Sequence, residues 1–409
     1  MGGWTREALI YETMVRQGLS SRWKTGPTDA VRSVLTLQAQ EPAAPYLALW
    51  NRIDGSEAGD LDRALANGAI VKASLFRFTL HAVAANDIPW ARAAMKSRAR
   101  DAGYYDVLDS AGLTAERIEE LLQRLSKVMT APHTNADMER VLSELVPGAS
   151  DPARLWSALR IVGAFRNAPT TDPWSFGRPP VFLPCRVAAD DEYAATVELV
   201  RRYLTAFGPA TIADMAQFTI LKRSAIREVV ESMSDVAAVA GPDGAQLVDV
   251  DGGDAQPEAE RATLPPRLLG MWDNVLLAYA NRSRVIPDEH RPHVIRRNGD
   301  VLPTVMVEGL VRGVWRASTD AIEVRALEPL DDATLDGLDR EARNLRRFIA
   351  DREPAVFSRF GKWWDRLRMV RRSRSDPEGR HGASQRDPRS THAVHHRCRS
   401  GSAVTEVLQ

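Results

Sequence analysis

The 409-residue chain contains little cysteine and no long apolar segment, and these two features exclude several classes of protein. Its two cysteines, Cys185 and Cys398, are too few for a disulfide framework or a cysteine-rich zinc site. We therefore expect no metal and no cofactor. No stretch approaches the roughly 20 apolar residues of a membrane helix, and the N-terminus lacks a basic segment followed by an apolar one. These features predict a cytoplasmic protein without a membrane partner.

The chain also lacks an excess of either charge, with 54 basic and 54 acidic residues. Residues 366–409 hold ten arginines against four acidic residues, a net charge of +6, so residues 1–365 carry −6. Richness in Ser, Arg, Gly and Pro predicts a disordered basic tail over residues 363–409. The slightly acidic body argues weakly against general nucleic-acid binding. Two basic stretches, residues 90–100 and 284–297, are local candidates, although either alone is more typical of a solvated surface.

Residues 191–260 have the clearest fold pattern. Apolar residues at helical spacing precede Gly208 and Pro209, which end a first helix. Thr211 and Asp214 have the spacing of a capping box that begins a short second helix, and "KRSAIREVVESM" has the apolar face of a third. The segment "VAAVAGPDGAQLVDV" then predicts two strands around a turn. Helix, short helix, helix and hairpin in this order are typical of a winged helix.

The same pattern recurs less sharply in residues 1–112 and 113–190, which we interpret as a first and a second winged helix. The first includes the helical pattern "TDAVRSVLTLQ" and the strand-like "IVKASLFRFTLHAVA". Residues 261–362 are β-rich: "NVLLAYA", "TVMVEGLVRGVWRAS" and "AIEVRAL" are strand-like, and "DATLDGLDREARNLRRFI" is a closing helix. We predict an α+β fold of tandem winged-helix domains followed by a C-terminal β-rich domain.

Several segments together resemble the AlkZ-like winged-helix DNA glycosylases, a bacterial family. They are "RQGLSSR", "AVRSVLTLQAQEPAAPYLALWNRID", "RFTLHAV", "YLTAFGPATIADMAQF", "WDNVLLAYANRSRVIP" and "MVEGLVRGVWR". The resemblance runs from about residue 5 to about residue 360 and keeps the family's order. It implies a C-shaped scaffold of three winged helices and a β-rich domain with a concave DNA-binding face. It also implies a catalytic glutamine, hydrophobic residue, glutamine motif, which falls on Gln38, Ala39 and Gln40.

Two neutral amides suit a reaction whose leaving group is already activated. A guanine alkylated at N7 is cationic, so it leaves readily while C1′ of the sugar gains oxocarbenium charge. Amides at i and i+2, where we expect the helix in "TDAVRSVLTLQ" to end, can hold a water near C1′ and place partial negative charge beside the sugar. An amide is not a general base near neutral pH. Without the resemblance, the triplet is more typical of a solvated helix end.

Four further residues are candidate DNA contacts. Arg77 and His81 in "RFTLHAV" are placed to reach a phosphate or the active face, although a histidine in a strand is more often a hydrogen-bonded structural group. Arg282 and Arg284 in "ANRSRVIP" resemble the family's basic turn and are candidate phosphate contacts.

Two functions remain open. The first is a monofunctional DNA glycosylase that excises N7-alkylated purines from double-stranded DNA and unhooks interstrand crosslinks, in repair or in self-resistance to a genotoxic natural product. The second is a non-enzymatic winged-helix transcriptional regulator. A regulator has no need of both glutamines, so the pair favours the enzyme. Neither function requires an obligatory protein partner.

Overall fold

The computed structural model describes residues 3–163, 165–185, 191–250, 262–364 and 404–406. Helices and strands are both abundant in these ranges, so the predicted α+β class is confirmed. The disorder predicted for residues 363–409 concerns a segment that lies almost wholly outside the described residues. Within the described ranges, no helix is both long enough and apolar enough to cross a membrane.

The N-terminal part places Gln38 on a short strand and Gln40 in the bend that follows it. Its elements are α1 (Arg6–Arg16), α2 (Pro27–Ser33), β1 (Leu37–Gln38), α3 (Ala44–Arg52), α4 (Ala58–Ala66), β2 (Ile70–Ser74) and β3 (Leu80–Ala84). The helix predicted in "TDAVRSVLTLQ" ends at Ser33, because Leu35 adopts a left-handed conformation with φ 70° that redirects the chain. Leu37 and Gln38 pair with β3 instead. The prediction that the glutamines lie at a helix end was therefore wrong.

One antiparallel sheet joins the first two predicted units. The chain continues through α5 (Ile88–Ala93), α6 (Lys96–Asp101), α7 (Tyr104–Ser110), α8 (Ala115–Val128), β4 (His133–Thr134), α9 (Asn135–Leu145), α10 (Pro152–Val162), β5 (Phe165–Asn167) and β6 (Val181–Pro184). The sheet has the order β1-β3-β2-β5-β6-β4, and Lys72 pairs with Asn167 where β2 meets β5. The strand β1 lies at its edge.

The third unit has the predicted order of elements. It consists of α11 (Glu192–Phe207), α12 (Ile212–Thr219), α13 (Arg223–Ser232), β7 (Val236–Ala240) and β8 (Gln246–Val250). The predicted capping box is present, since the Thr211 side chain accepts from the Asp214 N–H at 3.0 Å and Asp214 accepts from the Thr211 N–H at 2.9 Å. Tyr203, Phe207 and Phe218 pack against one another in its core. That all three units are winged helices remains an interpretation of this order.

The C-terminal part contains a second sheet and a long helix. Its elements are β9 (Arg267–Leu269), α14 (Arg291–Val294), β10 (Thr304–Val307), β11 (Leu310–Ala317), β12 (Ile322–Ala326), α15 (Asp332–Ile349), α16 (Gly361–Trp364) and β13 (Val404–Glu406). The strands have the order β13-β12-β11-β10-β9. The strands predicted for β10 to β12, the turn at Glu308 and Gly309, and the closing helix are confirmed. The segment "NVLLAYA" is not a strand but begins with a 3-10 turn, Asn274–Leu276, which the Asp273 side chain caps by accepting from the Val275 N–H.

Candidate active site

Gln38 and Gln40 lie on either side of Ala39 at the edge of the sheet. Gln38 belongs to β1, and the pairing with β3 continues beyond it, since the Ala39 N–H donates to the Leu80 carbonyl at 2.8 Å. Gln40 lies in a bend two residues after Gln38, and the side chains of both contact neighbouring residues, Thr79 and Leu80. Ala39 is completely buried in an apolar cluster, whereas Gln38 is 7% exposed and Gln40 is exposed. The end of a short strand, rather than the end of a helix, therefore carries the two amides.

Both amides contact the turn between β2 and β3. The side-chain oxygen and nitrogen of Gln38 each lie 3.4 Å from the Thr79 hydroxyl. The Gln40 side-chain oxygen accepts from the Leu80 N–H at 3.5 Å. These distances are at the long end of the hydrogen-bond range. The protein thus orients both amides and leaves most of their hydrogen-bonding capacity for a water or a substrate.

Asn274 holds the edge of β1 that faces away from the sheet. Its Oδ1 accepts from the Gln38 backbone N–H at 3.2 Å, and its Nδ2 donates to the Thr36 carbonyl. The side chain is 1% exposed. Since β3 holds the other edge, both sides of this short strand have hydrogen-bond partners.

A buried ion pair supports the 3-10 turn that carries Asn274. Asp273 caps this turn, and Arg52 donates to both of its carboxylate oxygens at 2.8 and 2.7 Å. Arg52 is 0% exposed and also donates to the Gln17 side-chain oxygen at 3.1 Å. Loss of either partner of a buried ion pair strongly destabilises the folded protein, because it leaves the other charge buried without a partner. The turn is thus anchored to α3 and to the C-terminal end of α1.

His81 is a structural group, which corrects its prediction as a DNA contact. The imidazole is 0% exposed, and its Nδ1 lies 2.9 Å from the Thr79 carbonyl oxygen. Its ring packs edge-on against Phe76 with centroids 5.7 Å apart. Burial, and to a smaller extent the nearby Arg77, lowers the pKa of His81 to about 3. A neutral, inaccessible imidazole does not contact a phosphate.

Arg284 is also structural, which corrects its prediction as a phosphate contact. It donates to the Thr13 hydroxyl at 3.1 Å, to the Pro209 carbonyl at 2.7 Å and to the Leu9 carbonyl at 3.2 Å. Its guanidinium carbon lies 4.2 Å from the centre of the Tyr279 ring. These bonds occupy every nitrogen of the guanidinium. Arg284 consequently ties α1 and the start of the third unit's second helix to the C-terminal part.

Arg77 and Arg282 are close enough for their positive charges to repel each other. Arg77 lies in the turn after β2, donates to the Phe218 carbonyl at 2.6 Å, and has its pKa lowered to about 10 by burial and by Arg282. Arg282 donates to the Leu276 carbonyl at 2.9 Å, and burial together with Arg291 lowers its pKa to about 10. Within the described residues, neither side chain forms an ion pair. Asp214 offsets part of the charge of Arg282, while the mutual repulsion of the two arginines favours an anion beside them.

Each of the two basic stretches contains both structural arginines and exposed ones. In residues 90–100, Arg92 is structural, because it donates to the carbonyls of Ile161 and Phe165, whereas Arg100 is exposed. In residues 284–297, Arg291 is exposed beside Arg282.

Comparison with known proteins identifies the family. A family model described as DNA glycosylase AlkZ-like matches residues 31–348, which is most of the chain. The chain belongs to this family. The predicted resemblance is confirmed, and the AlkZ-like chain is a DNA glycosylase rather than a regulator without enzymatic activity.

Two relatives extend this result. The AlkZ-like chain is 24% identical over 368 residues to an interstrand DNA cross-link repair glycosylase of Streptomyces sahachiroi, covering 82% of this chain and 94% of that protein. The solved structure of the Streptomyces sahachiroi DNA glycosylase AlkZ matches with a TM-score of 0.73 at 21% identity, covering 86% of this chain and 99% of that one. The fold is therefore shared along almost the whole relative.

The residues that support the glutamines were not predicted from the sequence. Asn274 and Asp273 lie in "WDNVLLAYA", part of which was predicted to be a strand. Thr79 lies in "RFTLHAV" between the two positions singled out there. A polar Asp-Asn pair that precedes an apolar run was the available signal, since buried polar groups need partners.

Proposed function

We propose that this AlkZ-like glycosylase excises N7-alkylated purines from double-stranded DNA in the cytoplasm, including purines joined in interstrand crosslinks, and that Gln38 and Gln40 are its catalytic residues. The observation that carries the proposal is the position of two incompletely bonded amides, one on the edge strand β1 and one just after it, which both contact residues 79–80. The relative from Streptomyces sahachiroi, whose name specifies cross-link repair, supports the crosslinked substrate.

The proposed reaction is hydrolysis of the bond between C1′ and N9 of the alkylated guanine. The bonding electrons move to the base and neutralise its positive charge. The oxygen of a water bonds to C1′, and the proton that this water loses passes to solvent. Gln38 and Gln40 hold the water through their side-chain oxygens and place partial negative charge beside the oxocarbenium-like sugar.

An exposed amide at a sheet edge suits a bulky lesion. Many glycosylases extrude the target nucleotide into a closed pocket, which a crosslinked base is unable to enter. N7 of guanine faces the major groove and is accessible from outside the base stack. Because Gln40 is exposed rather than enclosed, we propose that the lesion is hydrolysed without entering a deep pocket.

The test compares Gln38→Ala, Gln40→Ala and the double variant with the wild-type protein. Each single change should slow excision of N7-methylguanine roughly ten- to a thousand-fold under single-turnover conditions, as loss of one preorganised dipole does in other enzymes. DNA affinity and the unfolding temperature should change little. Gln123→Ala, at an exposed position of α8, is the matched control and should keep the wild-type rate. Full activity in the double variant would refute the assignment of the glutamines.

Substrate choice tests the leaving-group argument separately. Duplexes carrying N7-methylguanine, an N7-linked interstrand crosslink or uracil differ in whether the damaged base is cationic. The first two should be excised and uracil should not, because two amides supply no acid to activate a neutral base. Efficient uracil excision would contradict the proposed chemistry even if the enzyme proved to be a glycosylase.

A further inference from the structure

Among the described residues, the strand that carries Gln38 has one neighbouring strand. β1 contains two residues and pairs with β3, and no strand of the described ranges lies beside its second backbone edge. Two peptide groups on that edge, the Thr36 carbonyl and the Gln38 N–H, are instead bonded by the single side chain of Asn274. We propose that Asn274 is a positioning residue that takes the place of a neighbouring strand and fixes the orientation of Gln38. This inference rests on the proposed catalytic role of Gln38.

A carboxamide matches this edge because it carries a donor and an acceptor side by side. The Gln38 N–H needs an acceptor and the Thr36 carbonyl needs a donor, and Asn274 supplies both from one planar group. A hydroxyl reaches one of the two partners well. An ionised carboxylate accepts from Gln38 but repels the Thr36 carbonyl oxygen. The two bonds are therefore specific for an amide. A carboxyl group at this position should satisfy both partners when it is protonated and only one of them when it is ionised.

Asn274 is itself held rigidly. It is the first residue of the 3-10 turn that Asp273 caps, and Asp273 is fixed by the buried Arg52. The C-terminal part of the chain thereby sets the position of a strand in the N-terminal sheet. Displacement of a reacting group by about 1 Å can cost about a hundred-fold in rate. Loosening β1 should consequently slow the chemical step without removing a group that contacts DNA.

The decisive variant is Asn274→Asp, studied by single-turnover excision of N7-methylguanine between about pH 6 and pH 8. At the upper end, the carboxylate should repel the Thr36 carbonyl, and excision should be at least ten-fold slower than in the wild type. Burial raises the pKa of a carboxyl at this position, so part of the protein carries the protonated form at the lower end. That form again donates to the Thr36 carbonyl and accepts from the Gln38 N–H, so the rate should recover several-fold. Wild-type excision should be flat in this range, and the affinity of both proteins for DNA should be the same.

Asn51→Asp is the matched control. Asn51 is a buried amide that donates to the Leu47 carbonyl at 3.0 Å and to the Leu268 carbonyl at 2.9 Å, and within the described residues its side chain forms no hydrogen bond with β1. Its replacement should lower the unfolding temperature, but the excision rate per folded molecule should stay at the wild-type value and remain flat with pH. If this control acquired the same pH dependence, a general effect of a buried acid would explain the result and the inference would be overturned.

Gln38→Ala, measured in parallel, separates the inference from the proposed function. Wild-type activity in Gln38→Ala would refute the proposed function. A slow Gln38→Ala together with a fast, pH-independent Asn274→Asp would refute the role of Asn274 alone. If Asn274→Asp does not fold, Asn274→Ser replaces it, because a hydroxyl retains one of the two bonds. A folded Asn274→Ser with the wild-type rate would also overturn the inference.

Discussion

Gln38 and His81 lie directly opposite each other on β1 and β3. Paired residues on neighbouring antiparallel strands share one face of the sheet, so a proposed catalytic amide has a buried imidazole as its neighbour. The pKa of His81 is lowered to about 3 by burial, and the ring is therefore neutral in the physiological range. The histidine nearest to Gln38 in the sheet thus stays uncharged where the enzyme works, and the amides themselves do not titrate.

The first prediction concerns the pH dependence of catalysis. Excision of N7-methylguanine should be nearly constant from about pH 6 to pH 8, because neither glutamine changes its protonation state and His81 remains neutral. Single-turnover rates at saturating enzyme measure the chemical step without the contribution of DNA binding. A steep dependence on a single proton in this range would contradict catalysis by positioning and electrostatics.

The second prediction concerns the pH dependence of stability. The pKa of His81 is about 3 in the folded protein and about 6.5 in an unfolded chain, so the unfolded state binds more protons as the pH falls below 6.5. The free energy of unfolding should fall by about 2 kcal/mol between pH 7 and pH 5 from this group alone. Urea denaturation at the two values measures the change.

His81→Gln provides the test of that assignment. This variant should be less stable than the wild type at pH 7, but its free energy of unfolding should depend less on pH. His133→Gln, at a half-buried position of β4, is the control and should keep the wild-type pH dependence. An unchanged slope in His81→Gln would show that other groups cause the acid sensitivity.

Local patterns predicted the third unit and failed at β1 for a physical reason. Gly208, Pro209 and the Thr211 capping box act within a few residues, so the ends of α11 and the start of α12 are visible in the sequence. The helix before the glutamines ends instead at a left-handed Leu35, a conformation that leucine rarely adopts. Pairing with β3, more than 40 residues later in the chain, stabilises the strand that follows. Tertiary contacts of this kind leave no local pattern.

In the candidate site, too, some residues could be predicted from the sequence and others could not. The resemblance identified Gln38 and Gln40, but Arg282 and Arg284 look equivalent in "ANRSRVIP" and have different environments. Arg284 is bonded by carbonyls that lie more than 70 residues away in the chain, whereas Arg282 lies beside Arg77 and the exposed Arg291. Sequence spacing does not reveal which of two neighbouring arginines finds internal partners.

The third prediction uses these two arginines as a matched pair. Arg282→Ala should weaken binding to undamaged duplex DNA and reduce the slope of log affinity against log salt by about one, as loss of a single phosphate contact does. Arg284→Ala should instead lower the free energy of unfolding by about 2 kcal/mol or more, because it removes hydrogen bonds of a charged group to buried carbonyls. Fluorescence anisotropy across a salt series and urea denaturation measure the two effects. Equal DNA affinity in Arg282→Ala and the wild type would exclude Arg282 as a phosphate contact.

The last prediction concerns the buried pair Arg52 and Asp273. Arg52→Leu leaves the Asp273 carboxylate buried without its partner and should lower the free energy of unfolding by about 3 to 5 kcal/mol. Asp273→Asn should also lower the free energy of unfolding, because it leaves the buried Arg52 without a negatively charged partner. Arg52→Leu combined with Asp273→Asn removes both charges, so the double variant should lose less stability than the sum of the single variants, with a coupling of about 1 kcal/mol or more in a double-mutant cycle. Additive losses would mean that the two charges do not stabilise each other, and that packing around Arg52, rather than the ion pair, holds the turn that carries Asn274.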